Sequence, residues 1–373
     1  MTENNLFTPI TIGELSLSHR VVMAPLTRMR ATVPGNVPNE MMAQYYGQRA
    51  SAGGLIIAEA SQVSEDGRGA PCTPGSHSPE QIAGWKLITN AVHAKDGKIF
   101  LQLWHMGRLS HQSHQPDGKL PIAPSPIAAN TEVMTTEFER VPCPTPRALE
   151  TEEIPDLIER YVHAARSAME AGFDGVEIHA ANGYLLEQFL QTRTNQRTDA
   201  YGGSIDNRCR LVLEITEAIT AALGSERVGI RLTPYGIAND SGEENPMPLY
   251  THLVKELDKL NLAYLHLIEP RASGAGQREV DHKNVPSAAE LFRPMWHGVL
   301  IAAGNFQGEN ANAMLVNGNA DAIAFGRFFI SNPDLPERLR MGVKLTPYNR
   351  ATFYGGGAEG YLDYPTMGQT AKD

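Results

Sequence analysis

Three side chains near the middle of the chain have the types and spacing for chemistry on a small polar acceptor. They lie in Gly175-Val176-Glu177-Ile178-His179-Ala180-Ala181-Asn182-Gly183-Tyr184, where an apolar run gives way to His179, Asn182 and Tyr184. Imidazole and carboxamide nitrogens donate hydrogen bonds, and the phenol carries a proton. Two donors hold an oxygen that gains negative charge, while a third group protonates a neighbouring carbon. That division of labour suits reduction of an activated double bond, provided a hydride source lies beside it.

Such a set needs a scaffold that brings it to one place. Short apolar, often β-branched runs recur at 21–25, 55–60, 99–105, 175–180, 228–234, 264–270, 299–304 and 322–326. Continuous rather than alternating apolar runs are what strands buried on both faces require. Between them, segments 78–94, 154–171, 207–223 and 248–260 have helical periodicity and plausible caps, His77-Ser78-Pro79-Glu80 among them. Eight strands alternating with helices predict an α/β fold, one (β/α)8 TIM barrel, over a doubly wound open sheet. The third gap, 106–150, holds Pro116, Pro121, Pro124, Pro126, Pro142, Pro144 and Pro146, too many for a crossover helix. It reads as a long excursion capping the barrel mouth, with a short hairpin around 131–140. The expected organisation is a single domain over 1–373 with 106–150 as an insertion within it.

Bulk properties narrow the partners. The 42% hydrophobic content is ample for a large core, and a formal charge of -10 argues against nucleic acid as the main partner. Cys72, Cys143 and Cys209 are far apart and form no CxxC pair, as expected of reduced structural thiols. The start, Met1-Thr2-Glu3-Asn4-Asn5, lacks the basic and apolar regions of a signal peptide, and no apolar run reaches membrane-spanning length. The expectation is a cytoplasmic protein, monomer or small homo-oligomer, acting on small molecules with no membrane or nucleic-acid partner.

In a barrel of this kind active sites collect at the C-terminal ends of the strands. Those ends deliver Pro25-Leu26-Thr27, Glu59-Ala60, Gln102-Leu103-Trp104-His105, the His179–Tyr184 set, Arg231-Leu232-Thr233-Pro234, Gly304-Asn305 and Gly326-Arg327. No serine elbow, HExxH or catalytic-looking carboxylate pair stands among them, so the inventory suits a bound aromatic cofactor better than hydrolysis. Gly304-Asn305 and Gly326-Arg327 follow strands seven and eight, where such barrels often hold a phosphate. Arg327 adds charge-assisted bonds to that phosphate. Gly355-Gly356-Gly357-Ala358-Glu359-Gly360 matches GxGxxG formally, but no strand–helix unit surrounds it. His111 and His114 sit three apart without further ligands and read as a polar lid surface, not a metal site.

Taken together these residues resemble the Old Yellow Enzyme group of FMN-dependent oxidoreductases over nearly the whole chain. The likeness runs from Leu6-Phe7-Thr8-Pro9 and Arg20-Val21-Val22-Met23-Ala24-Pro25-Leu26-Thr27-Arg28 through Gln102–His105 and His179–Tyr184. It continues in Asn195-Gln196-Arg197-Thr198-Asp199-Ala200-Tyr201-Gly202-Gly203-Ser204, Ala324–Arg327, Asn332-Pro333-Asp334-Leu335 and Phe353-Tyr354-Gly355-Gly356-Gly357. The resemblance implies FMN at the barrel mouth and a ping-pong cycle. NADPH or NADH reduces the flavin, which then passes hydride to the β-carbon of an electron-poor alkene. It implies that His179 and Asn182 bind the acceptor's carbonyl oxygen and that Tyr184 protonates the α-carbon. By the same resemblance Thr27 meets a flavin carbonyl, Gln102 reads the pyrimidine edge and Arg231 sits on the N1 side. Pro25, Leu26 and Ala60 give backbone contacts, and Gly304, Asn305, Gly326 and Arg327 hold the phosphate. Phe353 packs near the flavin, while Trp104 and Tyr354 shape the substrate pocket. Many relatives carry a tyrosine in the loop after strand two, where this chain has Ala70, so a differently shaped entrance is expected.

The leading expectation is an NAD(P)H-dependent flavin ene-reductase. Reductive denitration of nitrate esters, or nitroaromatic reduction by the same flavin, is the alternative. A flavin-free aldolase or isomerase needs a Schiff-base lysine or catalytic glutamate at a strand end. Lys98 begins strand three and Glu59 reads as structural, so that rival is weak. A flavin carrier without activity does not need the proton donor Tyr184. Coenzyme preference, physiological acceptor and stereochemistry leave no fixed motif.

Overall fold

Eight short strands with almost wholly buried side chains have one economical arrangement, a sheet closed on itself with helices outside. The computed structural model, which describes residues 5–270 and 286–370, shows that closure. Its strands are β1 (Val21–Met23), β2 (Leu55–Gln62), β3 (Lys98–Trp104), β4 (Gly175–Ala180), β5 (Val228–Leu232), β6 (Tyr264–Ile268), β7 (Leu300–Ala303) and β8 (Ala322–Phe325). Each pairs in parallel with its neighbour, and β8 closes on β1. The open-sheet alternative is excluded. Residues 1–4, most of the polar start read above as carrying no signal peptide, lie outside the described residues.

Helix boundaries follow from local chemistry: Asn39 caps helix α1 (Glu40–Arg49) by accepting from the Met42 amide. Helix α2 (Pro79–His93) begins on a capping box: Ser78 accepts from the Gln81 amide, and Gln81 reaches back to the Ser78 amide. Helix α3 (Ile154–Glu170) buries Leu157, Tyr161, Ala164, Ala165 and Ala168 against the barrel wall. Helix α5 (Ile205–Leu223) starts earlier than its apolar pattern suggests because Ser204 caps it, accepting from the Asn207 amide. Among the described residues no helix is long and apolar enough to cross a membrane.

Two features set the ends of the barrel. A tight hairpin, Ile10–Ile12 with Leu15–Leu17, buries Ile12 and Leu17 against Val22, Ile57, Phe100, Ile301 and Ala322. Those partners line the barrel interior towards the strand starts, so the hairpin stoppers that end. At the other end β2 carries a bulge: Ala58 faces Leu101 and Ser61 faces Leu103, leaving Glu59 and Ala60 opposite Gln102 alone. The extra residue re-aims the strand as it reaches the mouth. The 106–150 stretch contains a hairpin, Glu132–Met134 with Arg140–Pro142, close to the expected place, and a short parallel pair, Ile122–Ala123 with Arg147–Ala148.

Candidate functional site

The strand ends enclose a cavity of about 510 Å³, within the range that takes a drug-sized ligand or cofactor. Pro25, Leu26 and Thr27 after β1, Ala60 from β2, Gln102 and Trp104 from β3, and Arg231 from β5 all line it. So do His179, Asn182 and Tyr184 at the end of β4, with Gly304, Asn305, Gly326, Arg327 and Tyr354. Residues more than 300 positions apart in sequence thus meet on one concave surface. Phe353 is the exception among the expected site residues. It is buried behind the wall, its ring 5.7 Å from that of Tyr348 and 6.4 Å from that of Tyr354.

The floor of the cavity is a polar layer inside the barrel. Glu177 is fully buried and accepts from Gln102 Nε2 at 2.7 Å and from His266 Nδ1 at 2.8 Å. Burial alone raises a carboxyl, but His266, Arg231 and Gln102 outweigh it and hold Glu177 below its ordinary value. The carboxylate takes the Gln102 amino group, so the Gln102 carbonyl oxygen is left for the cavity. Burial, then the charges of Arg231 and His266, push His179 well below the usual histidine range. A neutral imidazole with one N–H therefore faces the cavity at ordinary pH.

One wall of the cavity is a turn. Asn182 and Gly183 both adopt left-handed backbone, φ 59° and 81°, a region asparagine and glycine tolerate best. The Asn182 amide donates to Thr233 Oγ1 at 2.7 Å and its carbonyl accepts from Asn239 Nδ2 at 2.9 Å. The Tyr184 ring meets those of Trp104 and His179 edge-on at 4.9 and 5.0 Å. Burial and Tyr354 push the Tyr184 phenol up, while Asn239 and Arg231 pull the other way, so it keeps its proton. Beside the β7 and β8 loops, Arg327 donates to Asn305 Oδ1 at 3.3 Å and stacks its cation over Tyr348 at 5.4 Å.

An aromatic phosphate ester such as FMN fits this donor set. Trp104 Nε1, His179 Nδ1 and Arg231 Nε are buried with no protein partner in residues that line the cavity. Buried donors and acceptors are normally satisfied, so these point to a polar ligand. Gly326 is close to Leu26: an added Cβ would sit 3.3 Å from Leu26 Cδ2, so the leucine would have to give way.

Sequence reasoning missed several lining residues. Met106, Leu109, Glu132, Met134 and Arg140 come from the 106–150 excursion, and Asn239 from the loop after β5. Only the cluster of prolines hinted at the first group, and nothing local marked Asn239. Ala70 does line the cavity, beside Gly69. His114, expected on a polar surface, is buried with Nε2 2.6 Å from the Met134 carbonyl, so its ring braces the hairpin. Among the described residues no group of three or more His, Cys, Asp or Glu is gathered as a metal would need.

Comparison with known proteins agrees with the geometry. Residues 5–346 match the model of the NADH:flavin oxidoreductase / NADH oxidase family. The chain is 47% identical to flavin oxidoreductase hxnT of Emericella nidulans, covering 96% of this chain and 97% of that one. It is 46% identical to 12-oxophytodienoate reductase 1 of Oryza sativa subsp. japonica, covering 97% and 93%. Among solved structures, morphinone reductase in complex with tetrahydroNAD superimposes with a TM-score of 0.91 at 48% identity, covering 98% of each chain. The old yellow enzyme homologue of Zymomonas mobilis gives 0.90 at 42%, covering 97% and 99%. With its strand ends facing a cavity built for an aromatic phosphate, the chain belongs to this family, the Old Yellow Enzyme group of FMN-dependent NAD(P)H oxidoreductases.

Proposed function

We propose that the protein reduces α,β-unsaturated carbonyl compounds, with His179 and Asn182 binding the carbonyl oxygen and Tyr184 protonating the α-carbon. The observation that carries this reading is the convergence of those three side chains on one wall of the cavity, with Trp104 edge-on behind the phenol. When bound, FMN would supply the redox chemistry, hydride transfer between NADH or NADPH and the alkene's β-carbon.

The chain's own residues do the rest. Neutral His179 and the Asn182 carboxamide each offer an N–H to the oxygen, and these bonds strengthen as negative charge develops there. Tyr184, protonated at working pH, holds its O–H for the carbon next to the carbonyl. Gln102 offers its carbonyl oxygen, and Arg231 its guanidinium, to the pyrimidine side of the isoalloxazine. Thr27 serves its carbonyl edge, with Pro25, Leu26 and Ala60 lending backbone contacts. Gly304, Asn305, Gly326 and Arg327 would hold the phosphate. Trp104, Ala70, Tyr354 and the hairpin residues Val133 and Met134 bound the acceptor, so the 106–150 excursion acts as a cap that excludes water.

The test is an anaerobic visible spectrum of the purified protein. The flavin band should bleach with NADH or NADPH and return with 2-cyclohexenone. Bleaching that recovers only with a nitrate ester or nitroaromatic would replace the enone with that acceptor.

A further inference from the structure

Helix α4 (Leu185–Leu190) begins immediately after Tyr184, and its third residue turns back beneath the loop that carries the acceptor-side groups. That residue, Glu187, is fully buried. Its carboxylate accepts the Gly183 amide at 2.5 Å, the Thr233 hydroxyl at 3.0 Å and the Tyr250 hydroxyl at 2.9 Å. All three donors are neutral. A buried carboxylate without a cation is costly, and burial pushes Glu187 up to about 7 against those hydrogen bonds. Packing alone therefore gives no reason for an acid here.

Directionality gives one. Thr233 has a single hydroxyl proton and donates it to Glu187, so its lone pairs are left to accept the Asn182 amide at 2.7 Å. Glu187 thus reaches both left-handed residues, Gly183 directly and Asn182 through Thr233. From the other side the loop after β5 closes on the turn: an added Cβ on Gly183 would sit 2.9 Å from the Ala238 carbonyl, and Asn239 holds the Asn182 carbonyl. The turn's two amides and one carbonyl are therefore fixed by three side chains outside the catalytic set. Only an acceptor with two equivalent oxygens meets all three donors; glutamine would set an amino group against one of them.

We propose that Glu187, acting through Thr233 and Gly183, is a positioning residue that sets the backbone turn on which Asn182 and Tyr184 depend. This rests on the reading above, in which those side chains serve the acceptor.

The experiment uses FMN-loaded protein and titrates 4-chlorophenol into the oxidised enzyme, read by perturbation of the flavin spectrum. The phenol oxygen stands in for the acceptor's carbonyl oxygen. Thr233→Val keeps the shape but removes the relay, leaving the Asn182 amide unsatisfied, and should weaken phenol binding by about tenfold. Thr233→Ser, which restores the hydroxyl, should bind within threefold of wild type, roughly the scatter of a single neutral contact. Glu187→Gln should weaken binding in the same direction, and its effect should not add to that of Thr233→Val if both act through one chain. FMN retention should be unchanged throughout. If Thr233→Val binds like wild type, or if Thr233→Ser fails to rescue it, the inference is overturned while His179→Ala still abolishes binding. If His179→Ala binds the phenol normally, the reading of the site itself fails, and the inference with it. Should Glu187→Gln not fold, the Thr233 pair decides alone.

Discussion

Arg28, with Arg30 beside it, ties the 352–360 segment to the mouth, and replacing Arg28 with lysine tests how the Tyr354 wall is held. Arg28 is fully buried. Its guanidinium donates from Nε to the Phe353 carbonyl at 2.8 Å and from Nη2 to those of Thr352 and Gly360 at 3.2 and 2.9 Å. Nη1 donates to the Tyr45 hydroxyl at 3.0 Å, and the Gly355 amide returns a bond to the Arg28 carbonyl at 2.9 Å. A lysine keeps the charge but not the planar fork. Its ammonium reaches one or two of these four acceptors; Arg30 still donates to the Phe353 and Thr352 carbonyls, so the Gly360 carbonyl is the one most exposed to losing its partner. With charge-assisted bonds contributing about 1.5–3 kcal/mol each, the segment should lose about 3 kcal/mol of local stability. That corresponds to a roughly hundredfold larger open population. Hydrogen exchange of FMN-loaded Arg28→Lys should show protection in 353–361 falling by about that factor, with β5 unchanged. The Michaelis constant for a bulky enone should rise as the Tyr354 wall loosens. Unchanged protection in 353–361, or an equal loss across the barrel, would refute the idea of a local clamp.

Burial raises Glu59 to about 7, against hydrogen bonds from the Arg28 amide and Tyr46 and the nearby charges of Arg28 and Arg30. A raised carboxyl stabilises the fold below its unfolded value, and the contribution is lost as pH rises through about 7. Glu59→Gln should therefore gain on wild type by up to about 3 kcal/mol between pH 5 and pH 8, read from urea unfolding at fixed FMN; a pH-independent difference would contradict the burial argument. Arg327→Ala should weaken FMN binding about ten- to hundredfold, the worth of one charge-assisted phosphate contact, and full loading after dialysis would remove it from the phosphate site. Tyr184→Phe should slow reoxidation by 2-cyclohexenone about a hundredfold or more while reduction by nicotinamide is spared. An unaltered enone rate would take the phenol out of the reaction.

How far the sequence reached depends on how local each signal is. The eight barrel strands are readable because burial on both faces writes a continuous apolar run, and the expected residues at or near the C-terminal ends of seven runs line the cavity, although Glu59, His105 and Thr233 do not. The hairpin Ile10–Leu17 was not anticipated, since two three-residue strands carry too short a pattern and owe their place to the barrel floor they cover. Asn239 escaped for a similar reason: an asparagine in a loop reads as a turn residue, and its bond to the Asn182 carbonyl exists only once β4 and β5 are neighbours. Of the pair Phe353-Tyr354, Tyr354 alone lines the cavity, while Phe353 lies just behind its wall.

Three buried carboxylates, none marked in the sequence as functional, stand behind three walls of the site. Glu177 lies under Gln102 and near Arg231, Glu59 behind the β1 and β2 ends, and Glu187 beneath the Asn182–Tyr184 turn. An ionised carboxyl only accepts, so each one dictates which way its neighbours point: the Gln102 amino group downward, the Arg28 amide inward, the Thr233 hydroxyl away from Asn182. They differ in what surrounds them. Glu177 has a buried guanidinium and imidazole nearby and is held low. Glu59 and Glu187 are both raised to about 7, Glu59 despite two arginines at longer range. The floor beneath Gln102 thus rests on a carboxyl held low, whereas the β1–β2 wall and the Asn182–Tyr184 turn rest on carboxyls raised to about 7. Protonation of Glu187 should therefore loosen the Asn182–Tyr184 turn as pH falls through about 7. Phenol affinity that falls below pH 7 in wild type but not in Glu187→Gln is the pattern this arrangement requires, and the same pH profile in both would count against it.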